Sequence, residues 1–127
     1  MSAEKTQLEM QPQRTLDDTK LSLIERQALA DLRARLFTQL GFVKEVILFG
    51  SAARGTADAE SDIDLLVLTA YALDNWTRHD ISDIIADING EYETNFSSLV
   101  IDSENWRNGL ISVLPIKAEI LQDGIPV

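Results

Sequence analysis

Residues 48–64 read LFGSAARGTADAESDID, and two features of that stretch could do chemistry. Gly50 and Ser51 close an apolar run; after ten intervening residues, Asp62 and Asp64 stand one residue apart. Side chains alternate faces along a strand, so both carboxylates point the same way, with Cα atoms about 7 Å apart. Like charges held that close repel unless something positive sits between them. A hard divalent cation with oxygen ligands, Mg²⁺ above all, suits the pair. The glycine lets backbone approach a phosphate closely, and the N–H groups that follow it can form an anion nest. Phosphate on one side and Mg²⁺ on the other describe a nucleoside triphosphate site, where a hydroxyl attacks the α-phosphate in line. Either half alone is ordinary, since Asp-x-Asp pairs cap turns and strand ends and Gly-Ser pairs are common in turns. Their spacing between two apolar runs is what points to a site.

Two strands must hold these residues. Val43 to Phe49 is rich in β-branched and apolar residues and stops at Gly50; Ile63 to Thr69 is nearly continuously apolar, as in a central strand covered on at least one face. Residues 50–61 are small and polar, a loop or a short helix. Ahead of them a helix is expected from Asp17 or Asp18 to Leu40, with Leu21, Ile24, Ala28, Leu32, Leu36 and Leu40 at helical spacing and Gly41 as its C-cap. Asp74 can cap a second helix through Trp76, Ile81, Ile84, Ile85 and Ile88, closed near Gly90. A third strand falls near Thr94 to Ile101, Ser103 can cap a short helix, and PIKAEILQDG is a last helix between Pro115 and Gly124. The order αββαβα reads as one α/β (α+β) domain, a small mixed sheet flanked by helices, over residues 17–127. Residues 1–16 are polar and unpatterned and are expected to be a flexible lead-in.

Composition narrows the class. The chain has 127 residues, enough for one domain with a real core, and no cysteine, so disulfides and thiolate metal sites are excluded. No apolar run approaches the roughly 20 residues of a membrane helix, and the first residues lack the apolar stretch of a secretory signal. A cytoplasmic location is expected. A formal charge of −10 repels nucleic acid and favours metal ions or a basic protein, although acidity also simply keeps small proteins soluble.

The stretch VILFGSAARGTADAESDIDLLVL resembles the signature of the DNA polymerase β-like nucleotidyltransferase superfamily: GS, ten residues, then DxD. Within it the chain is similar to the minimal nucleotidyltransferases, the antitoxins of HEPN/MNT toxin–antitoxin pairs. The likeness covers about residues 20–127, including EILQDGI, which looks like the family's closing helix and strand. It implies an ATP-using fold with Asp62 and Asp64 as catalytic metal ligands for Mg²⁺ and with Gly50 and Ser51 at the triphosphate. It also implies a HEPN ribonuclease partner, adenylylated on a tyrosine. Two rivals stand beside that function: a non-catalytic antitoxin that masks its toxin, and transfer to a small molecule such as an antibiotic.

The chain departs from the family at one place. Members often carry a third carboxylate on the next strand, as a metal ligand or as base for the attacking hydroxyl. The position aligned with it is Ser97, which cannot replace an ionised base. Glu93 is a candidate third carboxylate of the same strand parity, some 13 Å away on a regular strand, and would need a bend or a shifted register. Arg54, beside the Gly-Ser turn, could reach a phosphate or form a surface ion pair. Ser61 could cap the strand end. His79 reads as solvated, and Trp76 and Trp106 as core or edge packing or an interface.

Overall fold

A computed structural model describes residues 14–58 and 60–127. Helix α1 spans Leu23–Gln39, strand β1 Val43–Phe49, helix α2 Gly50–Arg54 and strand β2 Ile63–Thr69. Helix α3 (Asn75–Tyr92) and strand β3 (Phe96–Asp102) follow. Helices α4 (Ser103–Asn108) and α5 (Pro115–Asp123) and strand β4 (Ile125–Pro126) complete the chain. The sheet order is β3-β2-β1-β4; β1 is antiparallel to β2 and β4, whereas β2 and β3 run parallel. This is the mixed α/β sheet expected, with a fourth, very short strand. Among the described residues no helix is long and apolar enough to cross a membrane.

The period-2 rule divides the core. Val46, Leu48, Leu65 and Val67 face α1 and α3, packing on Leu29, Leu32, Leu36, Ile81, Ile85 and Ile88. Ile47, Leu66 and Leu68 face the other way, against Ile101, Trp106 and Ile120. Strand β2 is therefore covered on both faces, which explains its unbroken apolar run. Asp64 has the parity of Leu66 and Leu68, so it belongs to the face covered by α4 and α5.

Several boundaries differ from expectation, each for a local reason. Thr15 and Asp18 form a capping box around a separate 3-10 turn, Leu16–Asp18, and α1 starts only after Ser22, whose hydroxyl accepts from Glu25 N–H. The Ser-x-x-Glu signal was in the sequence. Ile24 stays exposed in the first turn, ahead of the buried stripe that begins at Ala28. Gly41 follows an extended C-cap, Leu40, and is not left-handed. Helix α3 runs past Gly90 to Tyr92 and closes on Glu93 at φ 55, a left-handed non-glycine cap. Asp102, not Ser103, caps α4. Trp106 is buried, but Trp76 is 84% exposed. Five residues before Ile81, Trp76 sits about 140° around the helix from the buried stripe. Of the lead-in expected over residues 1–16, residues 1–13 lie outside the described residues; Arg14 donates to the carbonyls of Ala53 and Asp123, tying α2 to α5.

Candidate active site

The antiparallel β1–β2 pair brings the two halves of the motif together. Phe49, the last residue of β1, is the register partner of Asp64, so the chain leaves the sheet at Gly50 directly beside that carboxylate. Gly50 has φ +74, and a Cβ built on it would lie 2.5 Å from Asp64 Oδ2. The left-handed backbone angle favours glycine here, and the Asp64 carboxylate would have to shift to admit a Cβ. Helix α2 then begins, with Ser51 in its first turn and no side-chain cap on its N-terminal amides.

Strand β3 supplies the other wall. Ser97 is the parallel register partner of Asp64, and its Oγ donates to Asp64 Oδ1 at 3.0 Å. One step outward Asn95 Nδ2 donates to Asp62 Oδ1 at 2.6 Å, while Asn95 C=O accepts from Ile63 N–H at 2.9 Å. Asp62 is exposed and Asp64 half-buried, at the open end of the sheet. Among the described residues no Lys or Arg pairs with either carboxylate. The donor set is oxygen only, which fits a hard divalent cation of the Mg²⁺ type.

The remaining candidates fall elsewhere. Glu93 is the helix cap of α3 and not a strand residue, so the parity that made it a third carboxylate does not exist. Among the described residues no group of three or more His, Asp or Glu is placed to hold a metal ion. Arg54 has its guanidinium 3.7 Å from Asp123 of α5, as in the ion-pair reading. Ser61 binds Asp58 Oδ1 at 3.0 Å, within the turn that leads into Asp62. Hydrogen bonds from Glu60 N–H and from Ser61 hold the Asp58 carboxyl below its ordinary pKa, which fixes that turn while it is ionised. A cavity of about 300 Å³ lies behind α2, lined by Lys20, Ser22, Ala52, Asp58 and Ile63, and neither Asp62 nor Asp64 lines it. Asn95 was missed from sequence; the signal was the match between Asn-x-Ser at the start of one strand and Asp-x-Asp at the start of its neighbour.

The family model described as nucleotidyltransferase domain matches residues 29–105, more than half the chain, with Gly50, Ser51, Asp62, Asp64, Asn95 and Ser97 inside the match. The chain belongs to the nucleotidyltransferase domain family. Its fold is similar to that of a Sulfolobus solfataricus protein described as a nucleotidyltransferase, at 19% identity and TM-score 0.53, covering 79% of this chain and 76% of that one. It is also similar to the toxin–antitoxin MntA-HpeT in a mutant form, at 22% identity and TM-score 0.51, covering 85% and 72%. A toxin–antitoxin with AMP-PNP matches at 23% identity and TM-score 0.51, covering 79% and 69%. No curated protein matches the chain. This nucleotidyltransferase domain thus keeps the Gly-Ser turn and the aspartate pair in one place, with a serine where a further carboxylate was sought.

Proposed function

We propose that the protein is an Mg²⁺- and ATP-dependent nucleotidyltransferase that transfers AMP to a hydroxyl of a HEPN-type toxin, as its antitoxin. The observation that carries this reading is the placement of Gly50 beside Asp64, so close that a Cβ on the glycine would meet the carboxylate, which supports a phosphate-binding turn next to a cation-binding acid. Asp62 and Asp64 would hold the Mg²⁺, which when bound neutralises charge on the triphosphate and on the attacked phosphorus. Gly50, Ser51 and the free amides of α2 receive the phosphates, and Arg54 can join them by leaving Asp123. The acceptor oxygen bonds to the α-phosphorus as the bond to the β-phosphate oxygen breaks, and pyrophosphate departs with its electron pair. The acceptor proton passes to solvent or to a partner group, because this chain has Ser97 where a base would stand. A tyrosine suits that arrangement, since a phenol with pKa near 10 gives up its proton far more readily than an alkyl hydroxyl.

Asp62 is exposed and Asp64 half-buried at the open end of the sheet, so a docked protein surface can position the acceptor there. Similar solved structures that are toxin–antitoxins, one with AMP-PNP, support a toxin as that partner. The −10 charge suits a basic ribonuclease, with association that weakens as salt rises. Ser97 also favours one rival, an antitoxin that binds nucleotide but acts by masking. Copurified toxin incubated with Mg-ATP separates the two: a mass increase of one or more AMP groups on a toxin tyrosine is expected. Association with nucleotide bound but no mass change would establish masking, and failure to associate at low salt would defeat both.

A further inference from the structure

We propose that Asn95 and Ser97 are positioning residues that orient Asp62 and Asp64 through neutral hydrogen bonds and confine the site to one divalent cation. This rests on the transferase reading above. The two donors stand in step with the two acids across parallel strands: Asn95 to Asp62 Oδ1 at 2.6 Å and Ser97 to Asp64 Oδ1 at 3.0 Å. Each bond occupies Oδ1, and in Asp64 the other oxygen, Oδ2, is the one turned toward Gly50 and the phosphate-binding turn.

The donors are themselves held. Asn89 of α3 clamps the residue between them, accepting from Phe96 N–H at 2.9 Å and donating to Phe96 C=O at 3.0 Å. Its Oδ1 also accepts from Thr94 Oγ1 at 3.0 Å, and Asn95 C=O is anchored on Ile63. A rail fixed from behind in this way sets carboxylate direction without adding charge, the usual part of groups that support metal ligands. A second cation brought within a few ångströms of the first needs further negative charge to offset their repulsion. At the facing register position Ser97 supplies none, so the two carboxylates serve one ion, shared with the nucleotide.

The test is Mn²⁺ binding to the full chain at saturating AMP-PNP, counted by calorimetry and by electron paramagnetic resonance. One Mn²⁺ per chain is expected for the parent. Ser97→Ala should weaken it about tenfold or more, Ser97→Thr should restore it by returning the hydroxyl, and Asn95→Ala should weaken it independently. Ser97→Asp should admit a second Mn²⁺. Two Mn²⁺ in the parent, or a Ser97→Asp chain that still takes one, would overturn the confinement while leaving the transferase reading intact. Parent-like affinity in both alanine variants would overturn the positioning. A parent that binds neither Mn²⁺ nor AMP-PNP would overturn the transferase reading and this inference with it.

Discussion

Asp31 and Glu91, between α1 and α3, and Asp62 and Asp64, at the entry to β2, are two pairs of carboxylates kept in different company. Arg35 binds Asp31 through Nε at 3.0 Å and Glu91 through a guanidinium nitrogen at 2.7 Å, and Tyr92 OH donates to Asp31 at 2.9 Å. Those acids are spoken for by a cation inside the fold, and they fasten one helix to another. Among the described residues the aspartate pair has only a serine hydroxyl and an amide, so its negative charge stays available to something outside. Where charge closes the fold the chain supplies the counterion itself; at the proposed site it supplies direction through Asn95 and Ser97 and no counterion among the described residues.

The largest effect should appear when one member of each pair is removed. Asp62→Ala or Asp64→Ala is expected to lower AMP transfer by a factor on the order of 10³ or more, with thermal stability unchanged or raised because repulsion is relieved. Asp31→Ala should do the reverse: transfer kept, melting temperature lowered by several degrees, with Arg35 and Tyr92 left short of a partner. Transfer and melting curves measured on the same preparations decide it. Undiminished transfer by Asp62→Ala at saturating Mg²⁺ would break the comparison.

Gly50 joins the backbone to the outward-facing pair. Gly50→Ala places a methyl against Asp64 Oδ2 and forces a side chain into a left-handed angle. A stability loss of about 1–3 kcal/mol in urea unfolding is expected, with AMP-PNP affinity lowered more than stability alone explains. Equal affinity for variant and parent would detach the turn from the nucleotide.

How much of this was legible in the sequence depended on the range of the interaction. Strands β1 and β2 were read to the residue, because four apolar residues in a row run up to Gly50 in one and four follow Asp64 in the other. The Gly-Ser to Asp-x-Asp relation was readable because a strand's parity is fixed locally. Glu93 is left off strand β3 because burial of Ile88 together with the Tyr92–Asp31 bond carries α3 two residues past Gly90, to Tyr92. Asn95 escaped notice because its partner is set by parallel pairing of strands 33 residues apart, and register across a crossover is not a local property. Trp76 shows the same limit from the other side, an apolar residue in a helix whose phase excluded it from the core.

Titration sharpens the contrast further. Arg35 holds the Asp31 and Glu91 carboxyls below their ordinary range, and hydrogen bonds to Thr77 do so for Asp74. Folded pKa values that are depressed contribute stability present above the unfolded values, near 4, and lost as pH falls through the folded ones. Tyr92 is raised, chiefly by its bond to Asp31, so its share is present below about pH 10 and lost as pH climbs through the raised value. Arg35→Gln should therefore flatten the acid limb of a stability–pH curve measured from pH 2 to 6, leaving the part owed to Asp74 and Asp58. An unchanged limb would mean that the clamp contributes nothing to acid stability.

The smallest effect concerns Arg54, which stands between the two kinds of carboxylate. Its 3.7 Å pair with Asp123 is long, and its side chain is 42% exposed, so screening by water leaves little net energy. Arg54→Ala should change stability by about 0–1 kcal/mol, the usual worth of a surface ion pair. Nucleotide affinity is the informative readout. A guanidinium so loosely held can turn from Asp123 to a phosphate that enters beside Gly50, and its loss would then weaken AMP-PNP several-fold while ADP, which lacks the third phosphate position, is affected less. Asp123→Asn frees the same guanidinium and should strengthen AMP-PNP slightly. Parallel calorimetric titrations of both variants with both nucleotides separate the roles: if neither variant changes either affinity, Arg54 belongs with Arg35, a cation the fold keeps for itself.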